Sequence, residues 1–232
     1  MKHGTIITIG RQCGSGGHEV GKKLADRLGI AFYDKELLRL AAKESGLAPE
    51  NFEMYDEVPT NSLLYSLSLG NYGAALGNFD IPIHQKIFLA QFDAIQKLAD
   101  RGESCVIIGR CADYALSQRD RIINVFLRAD IKARVQRMVQ QYSDLNEKKA
   151  ADQIVRTDKR RASYHNFYAD TRWGSADSYD LVIDSLKTGI DNTVELLARY
   201  VDLRYPEGLS TLRPVGAAKA VPTFFIFFAK PS

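Results

Sequence analysis

The stretch TIITIGRQCGSGGHEVGKKLADRLG, residues 5–29, constrains the fold of this chain more than any other. Thr5–Gly10 has the length and apolar, β-branched character of a buried strand. The turn Gly14-Ser15-Gly16-Gly17 follows it. Val20, Leu24 and Leu28 then recur at i, i+4 and i+8 as one apolar helix face, which Gly29 ends. A strand that passes through glycines into a helix is a place where backbone N–H groups and a helix amino terminus can cradle phosphate oxygens.

The rest of the chain repeats this alternation. Ala31–Tyr33 reads as a short strand, and Asp34 can cap a helix running through Leu37, Leu38 and Ala41 to Ser45. Between Gly46 and Pro82 the pattern loosens around Pro49, Pro59, Gly70, Gly73 and Gly77, so 46–82 is expected to be an insertion outside the main sheet. A helix follows with Ile87, Phe88, Phe92, Ile95 and Leu98 on one stripe, Gln91 being its polar exception. Strands are expected at Ser104–Ile108, Ile122–Leu127 and Leu181–Ile183. Helices are expected around Ile131–Tyr142, over the strongly charged stretch Glu147–Tyr168, and from Ile190 to about Tyr205. Strands alternating with helices predict an α/β fold, a parallel sheet flanked by helices on both faces. Pro206, Gly208, Pro214, Gly216 and Pro222 predict a poorly ordered tail over 206–232, with the apolar run Phe224–Phe228 near its end.

With 232 residues, 45% of them hydrophobic, the chain suffices for one domain, placed here at 1–205. Thirty-one Lys and Arg against 28 Asp and Glu leave a formal charge of +3, too little for sequence-independent binding along a nucleic-acid polymer. Any positive site is local. No apolar run approaches the ~20 residues that span a bilayer, and the amino end is too soon interrupted for a signal peptide. The expectation is a cytoplasmic protein with no membrane partner. Cys13, Cys105 and Cys111 are an odd number with no CxxC pair, which predicts reduced thiols.

The glycine turn departs from the Walker A loop G-x-x-x-x-G-K-[ST], whose lysine neutralises β- and γ-phosphate charge. Gly17 stands at the lysine position, His18 and Glu19 follow where a small residue and a hydroxyl are expected, and Arg11 stands at the first glycine. Arg11, His18, Lys22 and Lys23 are the nearby basic residues, the two lysines reading as solvated. Arg110 lies just past a strand, at the sheet edge where open α/β sheets bind ligands, and guanidinium matches phosphate geometry. Arg156 and Arg160 share one helix face at i, i+4 with Arg161 on its flank, as either a solvated face or a phosphate site.

Four blocks in order, ITIGRQCGSGGHEVGKKLADRLGIAFYDKELL, CVIIGRCADYAL, VRTDKRRASYHNFYADTRWG and YDLVIDSLKTGID, resemble the cytidylate kinase-like family. The resemblance implies a P-loop NTPase-type kinase fold with a small helical NMP-binding insertion at about 46–82 and a lid at about 147–172. It implies ATP and Mg²⁺ as cofactors and a nucleoside monophosphate, CMP or dCMP, as acceptor. Gly14, Ser15, Gly16 and Gly17, with Arg11 and His18, would hold the donor; Asp34, Arg39 and Arg110 would hold the acceptor. Arg156, Arg160 and Arg161 would close over the transferring phosphoryl group. Arg39 comes one residue earlier than the family's arginine, and Cys111 replaces the aspartate after Arg110, with Asp113 two residues on. The metal ligands stay open, Ser15 and Asp34 being candidates, and oligomeric state has no signature. A nucleotide-binding protein without turnover, or a P-loop kinase for another small acceptor, fits the same residues.

Overall fold

Alternate residues of the central strand feed two separate cores, and that division organises the molecule. The structure, a computed structural model, describes residues 4–57 and 82–208. Residues 58–81, which hold most of the expected insertion, and residues 209–232, including Phe224–Phe228, lie outside the described residues. Five parallel strands form one sheet: β1 (Ile6–Arg11), β2 (Ala31–Tyr33), β3 (Cys105–Ile108), β4 (Ile122–Arg128) and β5 (Leu181–Asp184), in the order β2-β3-β1-β4-β5. β1 lies at the centre, with Ile6 opposite Cys105 on one side and Ile122 on the other.

Because side chains of a strand alternate between faces, Ile7 and Ile9 point into one core with Val106, Ile108, Val125 and Leu127. The helices α1 (Gly17–Leu28) and α9 (Ile190–Arg204) cover that face with Val20, Leu24, Val194 and Leu197. Ile6, Cys105 and Ile107 point the other way, under α2 (Lys35–Ser45) and α4 (Ile83–Asp100), which contribute Leu37, Ile87, Ile95 and Leu98. The doubly covered parallel sheet is the architecture that the alternation predicts. Part of the expected insertion belongs to the second core. Its helix α3 (Pro49–Met54) buries Phe52 completely against this face.

Four further α-helices, α5 (Ala112–Ala115), α6 (Ile131–Gln141), α7 (Glu147–Tyr168) and α8 (Ser185–Thr188), and a short 3-10 helix, Ala176–Ser178, complete the described chain. α6 starts where the Asp130 side chain accepts from the N–H of Lys132 at 2.8 Å, and α7 where Asn146 accepts from Lys149 at 2.9 Å. The short α5 has no apolar period, which is why the sequence does not announce it. Gln91 is buried on the apolar face of α4 because its Oε1 accepts a hydrogen bond from the Tyr164 hydroxyl at 3.0 Å, joining α4 to α7. The first residues of the expected tail are fastened: Arg121 pairs with Glu207, donates to the Gly208 carbonyl at 2.7 Å and stacks on Tyr205.

The three cysteines are free thiols, and burial pushes Cys105 up to about 12. No described helix is long and apolar enough to cross a membrane.

Candidate active site

The carboxyl ends of β1 and β3 lie side by side, and each sends an arginine into the same space. Arg11 is the last residue of β1, and Arg110 follows β3 by two residues. Gly109, Arg110 and Cys111 have φ of 67°, 55° and 52°, three successive residues in the left-handed region. Only the first is a glycine, so the turn carries strain. The turn folds the Arg110 side chain back under the strand end, where Nη1 donates to the Ile108 carbonyl at 2.9 Å.

Three carboxylates surround these arginines. Arg110 donates through Nη1 to Asp34 at 2.8 Å, and through Nε and Nη2 to the two oxygens of Asp56 at 3.1 and 3.0 Å. Glu57 takes Arg11 on one oxygen and the Nε of Arg161, from α7, on the other at 2.9 Å. Arg161 also donates to the Arg11 carbonyl at 3.2 Å, which ties α7 to the end of β1. Asp34 does not cap α2 with its side chain; its second oxygen faces His18 Nδ1 at 2.7 Å. The Asp34 carboxylate is directed into the cluster rather than at the first turn of α2.

Burial alone would raise the Glu57 carboxyl, but the guanidiniums of Arg11, Arg161 and Arg110 outweigh it and hold Glu57 far below the usual carboxylate range. Asp34 is likewise buried yet lowered, by Arg110. Asp56 goes the other way, raised by burial and by the charge of Glu57. Carboxyls that are lowered on folding add stability that is present above their unfolded values of about 4 and is lost as pH falls through the folded ones. Protonation of Asp56 offsets part of that loss. The melting temperature should therefore hold between neutral pH and about pH 5 and fall steeply below about pH 4, as a pH series of thermal melts will show. A Glu57→Gln variant should flatten the acid limb. An unchanged limb would mean that Glu57 is not ion-paired in solution.

The glycine turn sits beside the cluster. Gly14 and Gly16 have φ of 77° and 81°, which a side chain would strain. Ser15 is fully buried and its hydroxyl donates to the Gln12 carbonyl at 2.8 Å, while its own carbonyl accepts from Ser185 at 2.6 Å. Ser15 therefore shapes the turn from inside. Among the described residues no acceptor meets the N–H groups of Gly14, Gly16, Gly17 and His18, at the amino end of α1. The Cys13 N–H is taken by Asp158 of α7 at 2.7 Å, and the other Asp158 oxygen by Arg134 of α6 at 2.6 Å. Lys22 and Lys23 lie on the surface in pairs with Asp26 and Asp191.

Of the residues named from the sequence, the structure gathers Arg11, Gly14, Gly16, Gly17, His18, Asp34, Arg110 and Arg161. Arg39 is exposed on α2, outside the cluster. Arg156 and Arg160 are also exposed, because the inner face of α7 runs through Ile154, Asp158, Arg161 and His165 rather than through 156 and 160. Of the three lid arginines only Arg161 reaches the cluster. Asp56, Glu57, Arg134 and Asp158 were not anticipated. For Asp158 a signal existed, since an apolar Ile154 one turn earlier marks the buried side of an otherwise charged helix; for Asp56 and Glu57 there was none.

Behind Arg110 a cleft opens, lined by Thr8, Gly10, Asp113, His165, Trp173 and Tyr179. His165 Nε2 faces Asp113 at 2.8 Å, and its buried Nδ1 has no partner among the described residues.

A strand, a glycine turn and a helix thus stand at the centre of a five-stranded parallel sheet, with arginines converging on the turn. The model of the cytidylate kinase-like family matches residues 6–187. The chain belongs to this family. A curated relative, the cytidylate kinase of Thermococcus sibiricus, is 25% identical over 206 residues, which cover 88% of this chain and 91% of the relative. A crystal structure of an uncharacterized protein from Eubacterium ventriosum is 34% identical, with a TM-score of 0.65 over 86% of this chain and 99% of that one. A match to the crystal structure of shikimate kinase from Bacteroides thetaiotaomicron, 14% identical with a TM-score of 0.50, covers 85% of this chain and 98% of that one and shows a shared fold. Within the family frame, the four sequence blocks fall on β1–α2, β3–α5, α7 with the loop after it, and β5–α9.

Proposed function

We propose that this chain is an ATP-dependent phosphotransferase of the cytidylate kinase-like family and that its acceptor is CMP or dCMP. The observation that carries the kinase part is the convergence of Arg11, Arg110 and Arg161 beside a glycine turn with unengaged N–H groups. Phosphoryl transfer needs positioning and neutralised charge more than covalent chemistry. The turn and the amino end of α1 would hold the donor phosphates, Arg110 the acceptor phosphate, and Arg161 the charge that develops between them. The cytosine preference rests on family membership and on the activity for which the archaeal relative is named.

Mg²⁺ is tested by what the site has left to offer. Asp34, Asp56 and Glu57 are each engaged by guanidinium, Ser15 is turned inward, and no group of three metal-binding side chains occurs among the described residues. These residues do not form a magnesium site of their own. The ion would arrive on the donor phosphates.

A second reading has its own observation. A phosphate acceptor needs no base, whereas a hydroxyl acceptor does, and the cleft contains His165 oriented by Asp113. The Asp113 carboxylate fixes the ring of His165 beside the cleft and leaves its Nδ1 without a partner among the described residues. This favours a small hydroxyl compound as acceptor.

Turnover of ATP and Mg²⁺ with a panel of nucleoside monophosphates and small polyols separates the readings. ADP release with CMP or dCMP above the other nucleotides is the expected result. Release with a polyol alone establishes the second reading. ATP binding without turnover on any acceptor makes the chain a nucleotide-binding protein.

A further inference from the structure

The position that holds the loop lysine in a Walker A turn holds Gly17 here, and the structure shows what keeps it bare. Gly17 opens α1 without a left-handed φ, so its backbone does not require glycine. A Cβ at Gly17 would stand 2.6 and 2.7 Å from Cβ and Cγ of Arg11. The Arg11 stem therefore runs through the space that a residue-17 side chain would use. Its guanidinium continues to Gly109, where a Cβ would collide with Arg11 Nη1 and stand 2.5 Å from Glu57 Oε1. Two glycines on separate elements, one opening α1 and one ending β3, thus line the path of one arginine. That arginine ends on a carboxylate that Arg161 also grips, so two guanidiniums converge on one anion position beside the turn.

We propose that Arg11 takes over the loop lysine's work: entering from the first position of the turn, it binds the β- and γ-phosphates of the donor where Glu57 now stands. The glycines at 17 and 109 are the room this relocation needs. Guanidinium presents a fork of donors to phosphate oxygens, so the exchange of Glu57 for phosphate replaces one charge-assisted pairing by another. The inference rests on the kinase reading for its donor and is independent of the acceptor.

The test is equilibrium binding of ATP, ADP and AMP, without any acceptor, to the full chain and to four variants, with circular dichroism as the check on folding. Arg11→Met should weaken ATP and ADP by roughly 10- to 100-fold, the loss of a charge-assisted contact, and leave AMP within about twofold, because AMP has no β-phosphate. Arg11→Lys should recover part of the loss. Gly17→Lys, although it installs the motif lysine, should weaken ATP because it collides with the Arg11 stem. Arg11→Gly combined with Gly17→Lys, which removes the Cβ and Cγ that a residue-17 side chain would meet, should bind ATP more tightly than Arg11→Met or Gly17→Lys alone, and this pair keeps the test decisive if Arg11→Met alone unfolds by leaving Glu57 underpaired. Equal loss for AMP and ATP, or tighter ATP binding by Gly17→Lys with Arg11 in place, overturns the assignment to Arg11. Failure of the unaltered chain to bind ATP overturns the kinase reading itself, and the inference falls with it.

Discussion

Replacing Arg110 by alanine should destabilise the fold by about 3–5 kcal/mol, the cost of leaving buried partners of an ion pair uncompensated. The Arg110 side chain is 2% exposed and is shared by Asp34, Asp56 and the Ile108 carbonyl. Urea unfolding of the two proteins measures the difference directly. Adding Asp56→Asn to the alanine variant should return part of the loss, since one orphaned charge disappears with it. A difference under about 1 kcal/mol would mean that these carboxylates find water rather than Arg110 in solution. The acceptor role of Arg110 is better tested by Arg110→Lys, which keeps the charge and loses the fork. That variant should raise the acceptor KM by roughly tenfold or more while the donor KM stays near its starting value.

Arg161→Ala should lower kcat by roughly 100-fold or more, in the range seen when one preorganised donor to developing charge is removed. Arg156→Ala and Arg160→Ala should stay within about twofold of the parent, as surface substitutions without partners in the site do. The contrast follows from the rotation of the helix, which at about 100° per residue sets Arg160 and Arg156 well off the face of Arg161. Arg161 shares its face with Ile154 and Asp158 and reaches both Glu57 and the Arg11 carbonyl, while Arg156 and Arg160 look outward. Steady-state kinetics on the three variants, each with a dichroism spectrum, decides it. A large kcat loss at Arg160 with none at Arg161 would mean that α7 turns a different face to the substrate during turnover.

Much of this architecture is written along the chain because it depends on local periodicity. The apolar run in β1, the i, i+4, i+8 stripe of α1, the charged span of α7 and the stripe of α9 each need only their own residues, and they appear where the period places them. The glycine turn is legible for the same reason. Ends and faces are less so. The spacing of Arg156 and Arg160 leaves open whether their face of α7 is solvated or faces a phosphate, and burial of Ile154 and Tyr164 sets the rotation of the helix.

The sequence by itself determined an α/β fold with a phosphate-cradling turn after its first strand, because alternation of strand and helix periods leaves few other ways to bury so many apolar faces. Only the tertiary structure decided the strand order β2-β3-β1-β4-β5, since every strand is apolar on both faces and none states its neighbour. It also decided which charges meet. Arg11, Asp34, Glu57, Arg110 and Arg161 come from five separate places in the chain, and their pairing depends on strand ends that only the assembled sheet brings within a few ångströms. Gly17 shows the division at a single residue: the sequence shows that the lysine is missing, and the fold shows that the Arg11 stem fills its space.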